Sequence, residues 1–142
     1  MPISKLEEDV LVKELGKLAG FFGGFGARVA ARRLPVEEHQ ESVCLAVDVA
    51  KARALGVRAL QHLDGRLDSA LASAGPEGGI SAVVGSGHMN LNPTIVQMQF
   101  AEASPIATNV IIRALAKEGI VKQHSAEKAV KRVKNLLLSE NA

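Results

Sequence analysis

The hydrophobic pattern of this chain changes period along its length, and each change predicts a different element. Between Leu6 and Phe25 apolar residues recur three or four positions apart, which is typical of an amphipathic helix. Between residue 43 and residue 117 five stretches alternate between apolar and polar residues, which predicts strands. A helical stripe interrupts them after the first strand: Ala52, Leu55, Ala59, Leu60 and Leu63. The stripe of apolar residues in Ala126–Glu140 then returns to the helical period and predicts a closing helix.

The N-terminal helix carries its own start signal. Ser4 and Glu7 match a capping box, in which each side chain satisfies a backbone N–H at the helix start. Further along, glycines four positions apart share one helical face, which permits close approach between two helices. Together with the neighbouring aromatic residues they form a predicted interface: Gly16, Gly20, Gly24, Phe21, Phe22 and Phe25.

The first strand is predicted after a polar linker at Pro35–His39. Val43, Leu45, Val47 and Val49 alternate with less apolar residues, and Asp48 is placed to cap the helix that follows. Cys44 lies within this apolar run, so we expect it to be a small buried side chain.

The complete pattern predicts the order β-α-β-β-β-β-α. It favours an α+β fold with a curved antiparallel sheet of four to five strands and two helices on one face. Residues 1–36 form a separate helical, Gly/Phe-rich segment in this interpretation, and residues 37–142 form the α+β domain. Ile111 and Leu115 give one strand a second apolar face, whose cover would be the N-terminal helix or a partner chain. The other predicted strands are Arg66–Ser73, Ile80–Gly87, Thr94–Ala101 and Asn109–Ala116.

Composition narrows the function classes. The chain has 142 residues, of which 47% are hydrophobic and 23% charged, so we expect a globular protein rather than a disordered one. Four Phe residues, with no Trp or Tyr, leave few rings for stacking nucleic-acid bases. The net charge of +2 is small, and nucleic acid is the least favoured partner. The charge pattern that would support nucleic-acid binding is a basic face of the last helix: Lys128, Lys131, Arg132 and Lys134.

Cellular location follows from the N-terminus and from the cysteine count. One cysteine excludes an internal disulfide. Glu7, Glu8 and Asp9 stand where a secretory signal would be basic, so we expect a cytoplasmic protein. Lys17 and Arg28 bracket too few apolar residues for a bilayer span of about 20.

No catalytic constellation, cofactor loop or metal-ligand set is predicted. The four histidines, His39, His62, His88 and His124, have no spacing typical of a metal site. His88 is the most interesting of them because it follows the bend Gly85-Ser86-Gly87, which lacks the third glycine of a dinucleotide-binding loop. Ser86 and His88 also lack the flanking residues of a nucleophile elbow.

One stretch of the chain carries a family resemblance. Residues 114–130, with Gly85-Ser86-Gly87 and Asn92-Pro93, resemble small uncharacterised bacterial proteins of the TBP-like or helix-grip class. The resemblance covers residues 40–140 and implies either a small-ligand cavity or a nucleic-acid saddle. It transfers no activity and no functional residue, because one fold hosts many functions.

The leading hypothesis is a non-enzymatic binding or assembly protein that forms a homo-oligomer. Its basis is the surplus of apolar surface in the Gly/Phe segment and around Ile111 and Leu115. A second hypothesis is a helix-grip cavity for a small apolar ligand, with His88 nearby and a lining of Val96, Met98, Phe100 and Ile112. A third is peripheral attachment to a membrane surface through Leu18–Arg33. The identity of a ligand or partner does not follow from the sequence.

Overall fold

The computed structural model describes residues 3–18, 36–67, 78–86, 92–117 and 124–140, and these form three helices and five strands. They follow the predicted order β-α-β-β-β-β-α after an N-terminal helix, so the α+β prediction is confirmed. The elements are α1 (Lys5–Leu18), β1 (Val36–Leu45), α2 (Val49–His62), β2 (Arg66–Leu67), β3 (Ile80–Ser86), β4 (Asn92–Ser104), β5 (Ala107–Lys117) and α3 (Ser125–Glu140).

The strands form one curved, open antiparallel sheet in the order β1-β5-β4-β3-β2. Among the described strands, β1 and β2 are therefore the two edges, and β5 and β4 lie side by side near the centre. Helix α3 lies across one face of the sheet and contacts four of its strands, with α2 packed beside it. The closing helix thus packs on one face of the antiparallel sheet, as the sequence pattern predicts.

The main core lies between the sheet and these two helices, on what we call the inner face. Strand β5 shows why: Val110, Ile112 and Ala114 point inward and are fully buried, two residues apart as the strand period requires. Helices α2 and α3 close the core with small and aliphatic side chains: Ala52, Leu55, Ala59, Leu60, Ala126, Ala129, Val130, Val133 and Leu137.

Helix α1 lies on the opposite face of the sheet, which we call the outer face. Leu11 packs there against Ile95 of β4 and Leu115 of β5, and all three are buried. The predicted second cover over Leu115 is thus the N-terminal helix, whereas Ile111 on the same strand is only half-buried. Whether residues 1–36 and 37–142 are separate units stays a prediction.

Two predicted helix starts are confirmed. At α1 the Ser4 N–H donates to Glu7 Oε2 over 2.8 Å, and the Glu7 N–H donates to Ser4 Oγ over 3.2 Å. At α2 the Lys51 N–H donates to Asp48 Oδ1 over 2.8 Å. Both contacts satisfy N–H groups that have no partner within the first helical turn.

The predicted linker at Pro35–His39 is wrong for the residues that are described, because β1 begins at Val36 and ends at Leu45. The polar residues between Glu37 and Ser42 form an edge strand, in which charged side chains pair with neighbours instead of filling the core. Cys44 is also not buried as predicted, since the strand alternation turns it to the outer face, where it is exposed. Of the predicted strand Arg66–Ser73, only Arg66–Leu67 lies within the described residues and is strand.

One structural finding concerns the crossing of a membrane. No helix in the described part of the chain combines the length and the hydropathy that a bilayer crossing requires.

Candidate functional site

One end of the sheet is where several described elements begin or end. Val36 pairs with Lys117, and Ser86 pairs with Asn92, so these residues lie at the same end, which we call the upper end. Helix α3 also begins there, because the Ala126 N–H donates to Glu37 Oε2 over 3.1 Å. Three connecting segments lead into or out of described residues at the upper end: 19–35, 87–91 and 118–123.

A band of polar side chains runs down from the upper end between the edge strand and the closing helix. We call it the β1–α3 seam, and it consists of Glu37, His39, Glu41, His124, Glu127, Lys131 and Lys134. The strand residues are half-buried and alternate, so all three point toward α3. A charged strand side therefore faces the first three turns of the helix, where an apolar contact would be usual.

The middle of the seam is held by close contacts. His39 Nε2 lies 2.8 Å from Glu41 Oε2, and Lys134 Nζ donates to Glu41 Oε1 over 3.1 Å. Hydrogen bonding to His39, and then to Lys134, lowers the pKa of the Glu41 carboxyl. Glu41 therefore stays ionised in this position and links β1 to α3.

Glu127 and Lys131 pair across one turn of α3, since Lys131 Nζ donates to Glu127 Oε1 over 2.7 Å. This contact lowers the pKa of Glu127 and raises the pKa of Lys131. Because Lys134 also pairs with Glu41, both Lys131 and Lys134 of the basic face of α3 are matched by carboxylates. The electrostatic support for nucleic-acid binding is correspondingly reduced.

The top of the seam brings together three potential metal ligands from β1 and from the start of α3. His124 Nδ1 lies 3.8 Å from Glu37 Oε1 and 4.0 Å from Glu127 Oε2. All three ligand atoms lie within 4.8 Å of one another. The sequence analysis predicted no metal site because these residues have no regular spacing; the fold brings Glu37 to the other two.

A second polar cluster lies on the outer face, beneath α1. Arg113 Nη1 donates to Glu7 Oε1 over 2.9 Å and to Gln97 Oε1 over 2.8 Å, and its Nε donates to Glu38 Oε1 over 2.8 Å. Gln97 Nε2 in turn donates to Glu7 Oε1 over 2.7 Å. The Arg113 side chain is only 8% exposed and that of Glu7 only 7%, so this is a buried network.

The charges in this outer cluster are matched to their partners. Burial opposes the charge of Arg113, but hydrogen bonds to Glu38 and Glu7 outweigh it and raise the arginine pKa. The same hydrogen bond from Arg113 lowers the pKa of Glu38. Lys117, 2% exposed, donates to Glu8 Oε1 over 2.9 Å. Helix α1 is thus held on the sheet by ion pairs as well as by Leu11.

Next to this cluster, no described helix covers the outer face of the sheet. Ile111 of β5 pairs with Ser42 of β1 and with Gln99 of β4, and the next row pairs Asn109 with Cys44 and Ala101. Directly opposed residues of antiparallel strands share a face. Four of these six side chains are exposed, two are half-buried, and none is charged. We call them the outer patch: Ser42, Cys44, Gln99, Ala101, Asn109 and Ile111.

The predicted ligand-lining residues do converge on the inner face. Val96, Met98 and Ile112 are fully buried in the main core, and Phe100 is half-buried against it. Helix α2 lies directly on two of them, because a Cβ added to Gly56 would lie 2.9 Å from Phe100 Cζ and 3.3 Å from Met98 Sδ. At this position the helix and the sheet are in direct contact. His88 lies outside the described residues, so its place near a ligand stays a prediction.

The predicted helix–helix interface is only partly described. Gly16 lies within α1, as expected from the helical period. The other five residues of that prediction, Gly20, Gly24, Phe21, Phe22 and Phe25, lie outside the described residues. The interface therefore stays a prediction.

A surface groove of about 480 Å³ lies between the end of α2 and the side of α3. Its walls are mixed in polarity, and Arg58 and His62 of α2 approach Glu140 of α3 at 3.5 and 3.8 Å. The lining residues are His62, Leu63, Arg132, Asn135, Leu136 and Ser139. The groove is separate from the predicted inner-face lining.

Comparison with known proteins gives no family assignment. No family model matches the chain, and no curated protein matches it. Among solved structures, the chain is similar to the Zhui aromatase/cyclase from Streptomyces sp. R1128, with 8% identity and a TM-score of 0.39. That match covers 75% of this chain and 94% of the other. A likeness this distant carries no argument about function, which must be argued from the residues described above.

Proposed function

We propose that this protein is a non-enzymatic binding module that assembles with a second copy of itself through the outer face of its sheet. The observation that supports the proposal is the outer patch, an uncharged and exposed surface on three adjacent strands. An exposed sheet face carries polar side chains that stay hydrated in water, whereas Cys44, Ala101 and Ile111 place apolar surface in this patch that a partner can cover.

A second copy fits this patch better than it fits the edge of the sheet. In a two-fold dimer each patch meets its own copy, so a surface without charge meets no like-charge repulsion. The edge strand β1 instead carries charged side chains, including Glu37, Glu38 and Glu41, which is how natural sheets discourage pairing between edges. Copies therefore pair through their faces.

The size of the patch sets the expected strength of assembly. Three strands and two rows of outward side chains cover about 200 Å², from a strand spacing of about 4.8 Å and a rise of about 3.4 Å per residue. A stable interface needs roughly 800 Å² from each partner. We therefore expect a concentration-dependent dimer, strengthened if the predicted Gly/Phe interface (Gly20, Phe21, Phe22) contributes further area.

Placing a charge in the patch tests the proposal. Ile111→Arg introduces a cation at its centre, and we expect the light-scattering mass to remain that of a monomer at concentrations where the parent protein dimerises. Leu138→Arg is the matched control, because Leu138 is 44% exposed on α3, on the other side of the sheet. A parent protein that stays monomeric at high concentration, or equal masses for the two variants, would overturn the proposal.

Cys44 provides an independent probe of the same surface. It is exposed in the patch, so a thiol reagent should modify it readily in dilute protein. Dimerisation through the patch predicts slower modification as the concentration of protein rises, and Ile111→Arg should abolish that dependence. An unchanged rate in a protein that does dimerise would place the interface elsewhere.

A second candidate function is binding of a small apolar ligand between the sheet and the helices. It is favoured by the convergence of Val96, Met98 and Ile112 beneath α2 and α3. Val96→Phe tests it: a ligand space would accept the larger ring with little loss of stability, whereas a filled core would lose about 1–3 kcal/mol. The fluorescence of an apolar dye such as anilinonaphthalene sulfonate gives the matching readout. If a ligand-binding cavity is present, the parent protein should bind the dye, and Val96→Phe should weaken that binding.

A further inference from the structure

We propose that Glu37, His124 and Glu127 bind a divalent transition-metal cation of the Zn²⁺ type at the upper end of the β1–α3 seam. The residues supply one imidazole nitrogen and two carboxylate oxygens, a ligand set that Zn²⁺ accepts. They come from three places in the structure: the start of β1, the residue before α3, and the first turn of α3. The proposal is independent of self-assembly, which uses the outer face.

The distances suit a shared cation better than they suit direct pairing. His124 Nδ1 is 3.8 Å from Glu37 Oε1 and 4.0 Å from Glu127 Oε2, which is beyond hydrogen-bond range. Bond lengths of about 2.0–2.2 Å to zinc place tetrahedral ligands roughly 3.3–3.5 Å apart. Each distance from His124 to a carboxylate therefore has to shorten by about half an ångström to bring the atoms onto one ion. The two carboxylate oxygens lie within 4.8 Å of each other and have to shorten that distance by at most about 1.5 Å, which leaves a fourth position for water.

Each carboxylate is oriented by a group outside the ligand set. Glu37 accepts from the Ala126 N–H through Oε2, while its Oε1 is the atom nearer to His124. Glu127 accepts from Lys131 Nζ through Oε1, while its Oε2 is the atom nearer to His124. Outer partners of this kind fix the direction in which a metal ligand points.

The choice of cation follows from ligand chemistry. Mg²⁺ and Ca²⁺ prefer sets made entirely of oxygen, whereas imidazole nitrogen favours zinc and its transition-metal neighbours. The exposed fraction of the His124 side chain is 61%, so an ion can reach the ring without opening the fold. Bound metal would join β1 to α3 and stabilise the folded protein.

Calorimetric titration of the full-length protein with Zn²⁺ and with Mg²⁺ tests the site. We expect Zn²⁺ to bind with one ion per chain and Mg²⁺ to bind much more weakly. His124→Asn should weaken Zn²⁺ binding by about tenfold or more, since even outer-partner substitutions cost 10–100-fold. Asn is chosen because His124 has φ +53°, a conformation that Asn tolerates. Glu127→Gln should act in the same direction.

The matched control is His62→Asn. His62 also lies 3.8 Å from a glutamate, Glu140, but the described residues provide no third ligand there. It should leave Zn²⁺ affinity unchanged, and nitrogen NMR should show the metal shift at Nδ1 of His124. The proposal is overturned if Zn²⁺ does not bind, if His124→Asn binds it as the parent does, or if both histidine variants weaken it equally. Circular dichroism of each variant confirms that the fold is retained.

Discussion

Among the described side chains of α1, the single residue Glu7 combines a helix cap with a buried ion pair. One carboxylate oxygen closes the capping box with Ser4, and the other accepts from both Arg113 and Gln97. The side chain is almost fully buried, so the loss of its charge leaves an arginine in a poorly hydrated place. This makes Glu7 the position where α1 is most sensitive to substitution.

Glu7→Ala should lower the free energy of unfolding by about 3 kcal/mol, the lower part of the range for a broken buried ion pair, because Glu38 still holds Arg113. Glu7→Gln keeps an acceptor for the capping box and should lose less. Urea denaturation measures both. Glu127→Ala, which breaks an exposed pair, is the control and should leave stability unchanged. A loss below about 1 kcal/mol for Glu7→Ala would contradict the buried network.

The lowered pKa of Glu38 predicts how the free energy of unfolding changes at acidic pH. Its pKa is lowered from 4.5 by the hydrogen bond from Arg113, so the folded state binds its proton less readily than the unfolded state does. The resulting stabilisation is fully present above pH 4.5 and is lost as the pH falls through the lowered pKa. Glu38→Gln should therefore flatten the loss of stability below pH 4.5, whereas Glu102→Gln, at an exposed position, should not. Denaturant midpoints from pH 7 to pH 3 give the comparison, and equal slopes for the two variants would exclude the effect.

At the scale of elements, the start of α2 gives a clean prediction. Asp48 accepts from the Lys51 N–H and caps the helix that closes half of the inner face. Asp48→Ala should lower the free energy of unfolding by about 1 kcal/mol, whereas Asp48→Asn, which keeps an acceptor, should be nearly neutral. Chemical denaturation separates the two. Similar losses for both variants would show that the charge of Asp48, and not its cap, is what matters.

Elements with regular periods could be predicted from the sequence, and elements with paired polar residues could not. The closing helix was predicted as Ala126–Glu140 and is found as Ser125–Glu140, since its apolar stripe leaves few alternatives. The first half of β1 was missed because Glu37 and Glu41 have partners that are distant in sequence. Their alternation is the only local signal, and a polar edge strand and a linker share it.

The same limit applies to the candidate sites. Met98 and Ile112 could be placed on the inner face from alternation alone, because burial follows the strand period. The cluster of Glu37, His124 and Glu127 needs the contact between β1 and α3, and no spacing along the chain encodes it. Likewise, the burial of Arg113 depends on where α1 lies, which the alternation of its strand does not encode.

Considering the protein as a whole, the contacts of α1 with the sheet affect any test of the N-terminal segment that relies on removing it. A chain that starts at Glu37 loses Leu11, and so exposes Ile95 and Leu115 to water. Each exposed side chain costs about 1.5–3 kcal/mol, a large part of the 5–15 kcal/mol that stabilises a typical domain. Arg113 and Lys117 regain water at the same time, so their lost ion pairs add little to that cost.

We therefore expect the chain that starts at Glu37 to unfold at a clearly lower denaturant concentration and to expose apolar surface. A change in its mass would then report the loss of cover over the sheet as well as any loss of the predicted Gly/Phe interface. Replacing Phe21, Phe22 and Phe25 together by Ser in the full-length chain separates the two effects, because α1 and its contacts remain. If the Gly/Phe interface contributes to assembly, this variant should keep the unfolding midpoint of the parent and dimerise more weakly. If instead the shortened chain unfolds at the same midpoint as the parent, then α1 adds nothing to the domain, and residues 1–36 and 37–142 are independent units.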